Sequence, residues 1–177
     1  MTAQFLLDQL RGQKNIVGLG PNAGNFKIGE TGYVSDTTRS NGKEYYNSGC
    51  LVEVMICKAT AALTAPAGLG IRFDTHASLY GLVVDTCATG EICDGILDPE
   101  LTGNIAIGDT FLVYRKGPMN FVASAAISAG AGLKPATEGK FVTDAGPGLY
   151  PTRRGVCQVA ASADADIRRG VFDFTAP

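Results

Sequence analysis

The chain has no tryptophan and a single histidine, His76. A histidine-rich metal centre is therefore excluded, and any Cys–His or Ser–His catalytic pair would have to use this one residue. The five cysteines, Cys50, Cys57, Cys87, Cys93 and Cys157, are odd in number and contain no Cys-x-x-Cys. A closed disulfide framework and a zinc ribbon are both poorly served by that pattern; it reads as buried free thiols in a reducing compartment. Charged residues make up only 18% and the net charge is −2, with Arg153-Arg154 and Arg168-Arg169 as the basic pairs. That is too little positive charge for binding driven by phosphate neutralisation, so no nucleic-acid partner is expected. No run approaches the roughly 18 to 20 apolar residues of a membrane-spanning helix, and Phe5-Leu6-Leu7 lacks the flanks of a signal peptide, so no membrane partner and assembly in a cytoplasm are expected. Gly-x-Ser-x-Gly and Gly-Lys-Ser/Thr are missing. Gly18-Leu-Gly20-Pro-Asn-Ala-Gly24 is broken by Pro21 and leads into no helical pattern, which removes it as a phosphate loop.

What the chain has is glycine, 23 residues, with 8 prolines and 45% hydrophobic residues in a length of 177. This suits one domain of many short strands joined by turns. The first 32 residues carry scattered glycines and little apolar periodicity. Phe5, Leu6 and Leu10 have the spacing of a short helix, marginal at that length. Residues 1–32 thus read as an arm or loop kept out of the core, and 33–177 as a β-rich body. Asn41-Gly42 signals a turn. Cys50 to Cys57 is a strand apolar on both faces. Strands follow at 71–73, 79–86 with a bend at Gly81, and 92–97, stopped by Asp98-Pro99. A hairpin is expected from 110–116 paired with 121–125 across Gly117-Pro118. Further strands fall at 133–134, 141–144, 156–161 and 171–174. With no intervening helices, the expected fold is mainly β, an antiparallel β-sandwich or barrel-like domain with an N-terminal arm or short helix.

One phrase is written twice. Ile105-Ala-Ile-Gly108 and Ile127-Ser-Ala-Gly130 each place an apolar residue three positions before a glycine, and a strand-like stretch follows. Glycine at that position is a turn signal, so substituting Gly108 or Gly130 is expected to damage folding before any chemistry. The remaining polar groups have ordinary structural explanations. Asp85, Glu91, Asp94, Asp98 and Glu100 lie where turns favour acidic residues and lack calcium-loop spacing. Residues 164–170 read as a polar hairpin, and His76 as a surface or turn residue. No catalytic residue, metal ligand or cofactor is assigned. Another reading is an enzyme, for instance a Cys–His hydrolase using His76 with Cys87 or Cys93.

From residue 105 onward the pattern resembles small capsid cement (decoration) proteins of tailed double-stranded DNA phages. It is carried by Ile105, Gly108, Asp109, Gly117, Val122, Ala123, Ile127, Gly130 and Leu133. Gly139, Lys140, Val142, Gly155, Val156, Ala161, Ser162, Ala163, Asp164 and Ile167 continue it. The resemblance covers about the last 100 residues, with a looser start in 82–84 and 91–96. It implies a β-rich homo-oligomer on the outer surface of a phage capsid, bridging major capsid subunits, with no catalytic residue and no cofactor. The expected partners are the major capsid protein and the chain itself, as a trimer or a dimer. Phe5, Leu6 and Leu10 are the expected apolar anchors on the capsid or an adjacent subunit. A second reading, a carbohydrate- or receptor-binding β module on a virion surface, rests on Tyr33, Tyr45, Tyr46 and Tyr150 as stacking platforms.

Overall fold

The stretch that reads as apolar on both faces belongs to the longest strand; both of its faces are covered from Val54 to Cys57, whereas Cys50 and Leu51 at its start are exposed. The structure, a computed structural model, describes residues 7–18, 26–40, 43–64, 67–74, 81–145 and 155–175, with the backbone alone for 37–40 and 43–49. Its strands are β1 (Thr31–Ser40), β2 (Lys43–Ala59), β3 (Gly70–Phe73), β4 (Leu82–Thr86), β5 (Gly95–Leu97), β6 (Thr110–Val122), β7 (Gly132–Pro135), β8 (Phe141–Thr143), β9 (Gly155–Cys157) and β10 (Ile167–Asp173). Side chains alternate across a strand, and β2 sorts them into two cores. Met55, Cys57 and Ala59 join Phe111 and Val113 of β6, Ile71 and Phe73 of β3, Val83 of β4 and Leu97 of β5. Val52, Val54 and Ile56 point the other way, with Leu112 and Tyr114, into a core shared with Phe121, Phe141, Phe172 and Phe174.

The pairings close. β2 pairs with β4, β4 with β3, β3 with β5, β5 with β6, and β6 returns to β2. This is a small barrel, and its interior is the first of the two cores. A second ring starts from the far half of the same β6. It runs through β10, β9, β7 and β8, and a parallel bridge from Phe141 to Ala123 brings it back to the end of β6. Its centre is aromatic: Phe121, Phe141 and Phe172 meet edge to face at 5.2 to 5.9 Å, and Phe174 stacks on Phe172 at 5.4 Å. The mainly β, barrel-like expectation holds; among the described strands β2–β4 pair in parallel and the other strand pairs are antiparallel.

Three readings from sequence are corrected. Gly117-Pro118 is no hairpin turn, because β6 runs straight through it. The β2 ladder stops at Lys116, so one flank of Pro118 has no hydrogen bonds left to supply. Gly117 has φ +121, and a Cβ there would stand 3.3 Å from the Leu51 carbonyl oxygen. The dipeptide marks where β6 leaves the first ring for the second. The polar stretch 164–170 is half strand: β10 begins at Ile167, and the turn before it is held by Asp166, whose carboxylate accepts from the Ser162 and Ala163 N–H groups. Nor does the N-terminal stretch lie outside the core. Leu7 and Ile16 are buried in the aromatic core, with Leu10 and Val17 packed against it. Scattered glycines hid this, since a loop can bury single residues without any periodicity.

Candidate interaction surface

The segment 7–18 is helical at residues 7–8, carries a 3-10 turn at Ile16–Gly18, and is tied down by side chains. Asp8 accepts from the Ser35 N–H at 2.8 Å and the Ser35 hydroxyl at 2.9 Å, while Arg11 donates to the Ser35 carbonyl at 3.3 Å. Both Ser35 backbone groups lie on the edge of β1 turned away from β2. The segment therefore plugs that edge, where another strand could otherwise add. Arg11 also donates to the Tyr114 hydroxyl at 3.1 Å and pairs with Glu100 at 3.0 Å. Burial works against the Arg11 charge, but Tyr114 and Glu100 outweigh it and hold its pKa above the ordinary value. The Gly12 N–H donates to Asp98, which is fully buried and also accepts from the Glu100 N–H. Burial raises the Asp98 carboxyl from 3.8 to about 6 against these two hydrogen bonds.

The expected anchors divide accordingly. Leu10 is half-buried against the protein's own core. Phe5 and Leu6 lie outside the described residues, as do His76, Tyr150, Arg153-Arg154 and the Asn41-Gly42 turn. The side chains of Tyr45 and Tyr46 lie outside them too.

Sequence reasoning missed the exposed face of the sheet formed by β1, β2, β6, β10 and β9. Strand register aligns Tyr33 with Glu53, Glu53 with Lys116, and Lys116 with Asp173, one row across four strands. Lys116 pairs with Asp173 at 2.8 Å. Partial burial would raise the Asp173 pKa, but Lys116 and the hydrogen bonds from Thr175 outweigh it and bring the carboxyl down to about 2. The next row is apolar. Val171 stands between Pro118 and Val156, and Leu51 lies beside the same stretch of β6. Leu51, Val171 and Val156 are 48%, 41% and 37% exposed, enough to make this an uncovered apolar row and not a core face. The signal was present in the sequence as alternation, but only the register of four strands brings these residues side by side. Below the face, Asp36 of β1 and Arg169 of β10 form an ion pair, both nearly inaccessible to solvent.

The duplicated phrase is duplicated in space. Ile105 bridges Leu63 and Ile127 bridges Ala161, each through two backbone hydrogen bonds of 2.9 to 3.0 Å. The Gly108 N–H reaches the Ala59 carbonyl, as the Gly130 N–H reaches that of Cys157. Ala59 in turn donates to Asp109 and Cys157 to Ala131. Each copy clamps the start of one strand to the end of another, one in each ring. Other residues of the cement-protein pattern meet here: Lys140 pairs with Asp164 at 3.0 Å, and Gly155 and Val156 pair with Leu133 and Gly132.

Among the described residues no group of three or more His, Cys, Asp or Glu converges to hold a metal ion. Cys57 and Cys87 are buried, and burial raises both thiols far above the ordinary range, which disfavours the nucleophilic thiolate.

No family model matches the chain, and no curated protein matches it. Among solved structures it is similar to the head fiber gp8.5 N base of bacteriophage phi29, at 16% identity and a TM-score of 0.48, over 70% of this chain and 96% of that one.

Proposed function

We propose that this protein is a structural component of a phage virion that decorates the outer surface of the capsid and bridges major capsid subunits. The observation that carries the reading is the apolar row Leu51–Pro118–Val171–Val156 beside the charged row Tyr33–Glu53–Lys116–Asp173 on one sheet face. Such a face offers an apolar centre for contact and a polar margin for register. The β1–β2 ribbon adds reach: beyond Leu51 it continues through Thr37↔Asn47 to Ser40↔Lys43, where β2 has no other described strand partner. A protein that binds only the expanded shell stabilises that shell by mass action. Copies joined as a trimer or dimer on a capsid symmetry axis would gain avidity from weak individual contacts.

The test is co-sedimentation with expanded, undecorated capsids. Wild-type protein is expected to pellet at a fixed ratio to capsid subunits. The double variant Leu51→Asp, Val171→Asp is expected to stay in the supernatant with an unchanged circular dichroism spectrum. Pelleting of that variant at wild-type ratio would remove the face from the proposal, and failure of the wild type to pellet would remove the function.

A further inference from the structure

The two rings leave a cleft of about 530 Å³ between them. Its floor is apolar, from Leu63 and Val122, and its walls carry Thr64, Asp85 and Thr86 from the first ring and Glu138 and Lys140 from the second. The wall with Glu138 is rigid. Thr137–Lys140 is a tight turn closed by the Lys140 N–H on the Thr137 carbonyl, with φ +59 at Glu138 and +74 at Gly139. Gly139 is wedged into the first ring: its N–H donates to the Cys87 carbonyl at 2.7 Å, and a Cβ would meet the Gly70 carbonyl oxygen at 2.6 Å.

Two successive left-handed residues favour Asn-Gly, and a glutamate at the first position is strained. Folding gains little from Glu138 in return. Its side chain is 81% exposed, and Lys140, 3.9 Å away, is already held more closely by Asp164. A strained, exposed carboxylate at the rim of a cleft points to a ligand.

The lining sets the ligand's chemistry. Two carboxylates and one ammonium leave the cleft net negative, which disfavours phosphates and nucleotides, while Lys140 disfavours a cationic side chain. Carboxylates accept from neighbouring hydroxyls, Lys140 donates, Thr64 and Thr86 do both, and the floor suits a C–H face. We infer that the inter-ring cleft is a binding site for a neutral saccharide of two or three residues, with Glu138 as its principal hydrogen-bond acceptor. The volume lies within the range of small-molecule sites. This site is separate from the capsid-facing sheet and does not depend on it.

The experiment is an amide-resolved NMR titration of the full chain with maltotriose, cellotriose and chitotriose, each at millimolar concentration, and with a lysine-rich peptide as the charged comparison. Saturable shifts at Thr64, Asp85, Thr86 and Glu138–Lys140 are expected with at least one trisaccharide. Glu138→Asn is expected to raise or preserve the melting temperature, weaken that binding by at least about tenfold, and leave capsid sedimentation unchanged. Silence with all three trisaccharides, saturable shifts elsewhere, undiminished binding by Glu138→Asn, or binding of the peptide alone would overturn the inference.

Discussion

A methyl group added at Gly108 or Gly130 would touch nothing within 4 Å, yet both residues hold positive φ, +92 and +82. The cost of Gly108→Ala or Gly130→Ala is therefore conformational alone, about 1 to 2 kcal/mol each, read as a shift in the urea midpoint. At Gly32 a Cβ would collide with the Leu7 side chain, and at Gly139 the obstacle is backbone, so Gly139→Ala is expected to cost more than either turn variant. These turn glycines were legible in the sequence because a turn is specified by neighbouring residues. Asp98 was not: it is the arrival of Gly12 from a distant segment that marks it out, since Asp94 nearby is buried too. Its raised pKa has a definite sign. The folded protein holds the Asp98 proton more tightly than the unfolded chain does. The penalty of the buried charge is therefore full above about 6 and fades as pH falls from there toward 3.8. Acidifying from about pH 7 to about pH 5 should raise this residue's contribution to unfolding free energy by on the order of 1 kcal/mol. In Asp98→Asn that part of the slope should vanish. The Asp173 contribution has the opposite sign and a lower window, lost as pH falls from 3.8 through about 2.

At the scale of elements, two connections hold pieces of chain that the sequence kept apart. The Asp36–Arg169 pair joins β1 to β10 with neither partner in water. Removing either partner takes the ion pair away from a buried charge, so Arg169→Met and Asp36→Leu should each be destabilising, by about 3 to 5 kcal/mol, while the double variant should recover most of the loss. Chemical denaturation of all four proteins measures this directly. The second connection is the N-terminal segment. Deleting residues 1–12 would remove Leu7 from the core, Asp8 and Arg11 from the β1 edge and Gly12 from Asp98. That deletion is expected to destabilise the body and promote edge-to-edge association, seen as a lower melting temperature and higher mass in light scattering. Deleting residues 1–6 is the cleaner test of Phe5 and Leu6 as capsid anchors, because it leaves those contacts in place. The strands themselves were readable from alternation and turn residues. Their continuity was not, because Gly117-Pro118 has the composition of a turn. Only the end of the β2 ladder at Lys116 lets β6 pass through it.

Across the whole molecule, the class of fold followed from composition, while ring closure required knowing which strands meet. β2 and β6 carry apolar residues on both faces because each separates two cores, a pattern that a single sequence shows but does not explain. The candidate face was hidden for a related reason: its rows run across four chain segments, and no local window contains more than one member of either row.

β6 belongs to both rings, with β2 and β5 on its first half and β10 on its second. Neither ring can lose this strand without opening the other. A load entering through one ring must pass along the β6 backbone and be resisted by two ladders in shear at once. Pulled in a force experiment, the protein should therefore rupture in a single event, and the amides of β6 should be the last to exchange with solvent.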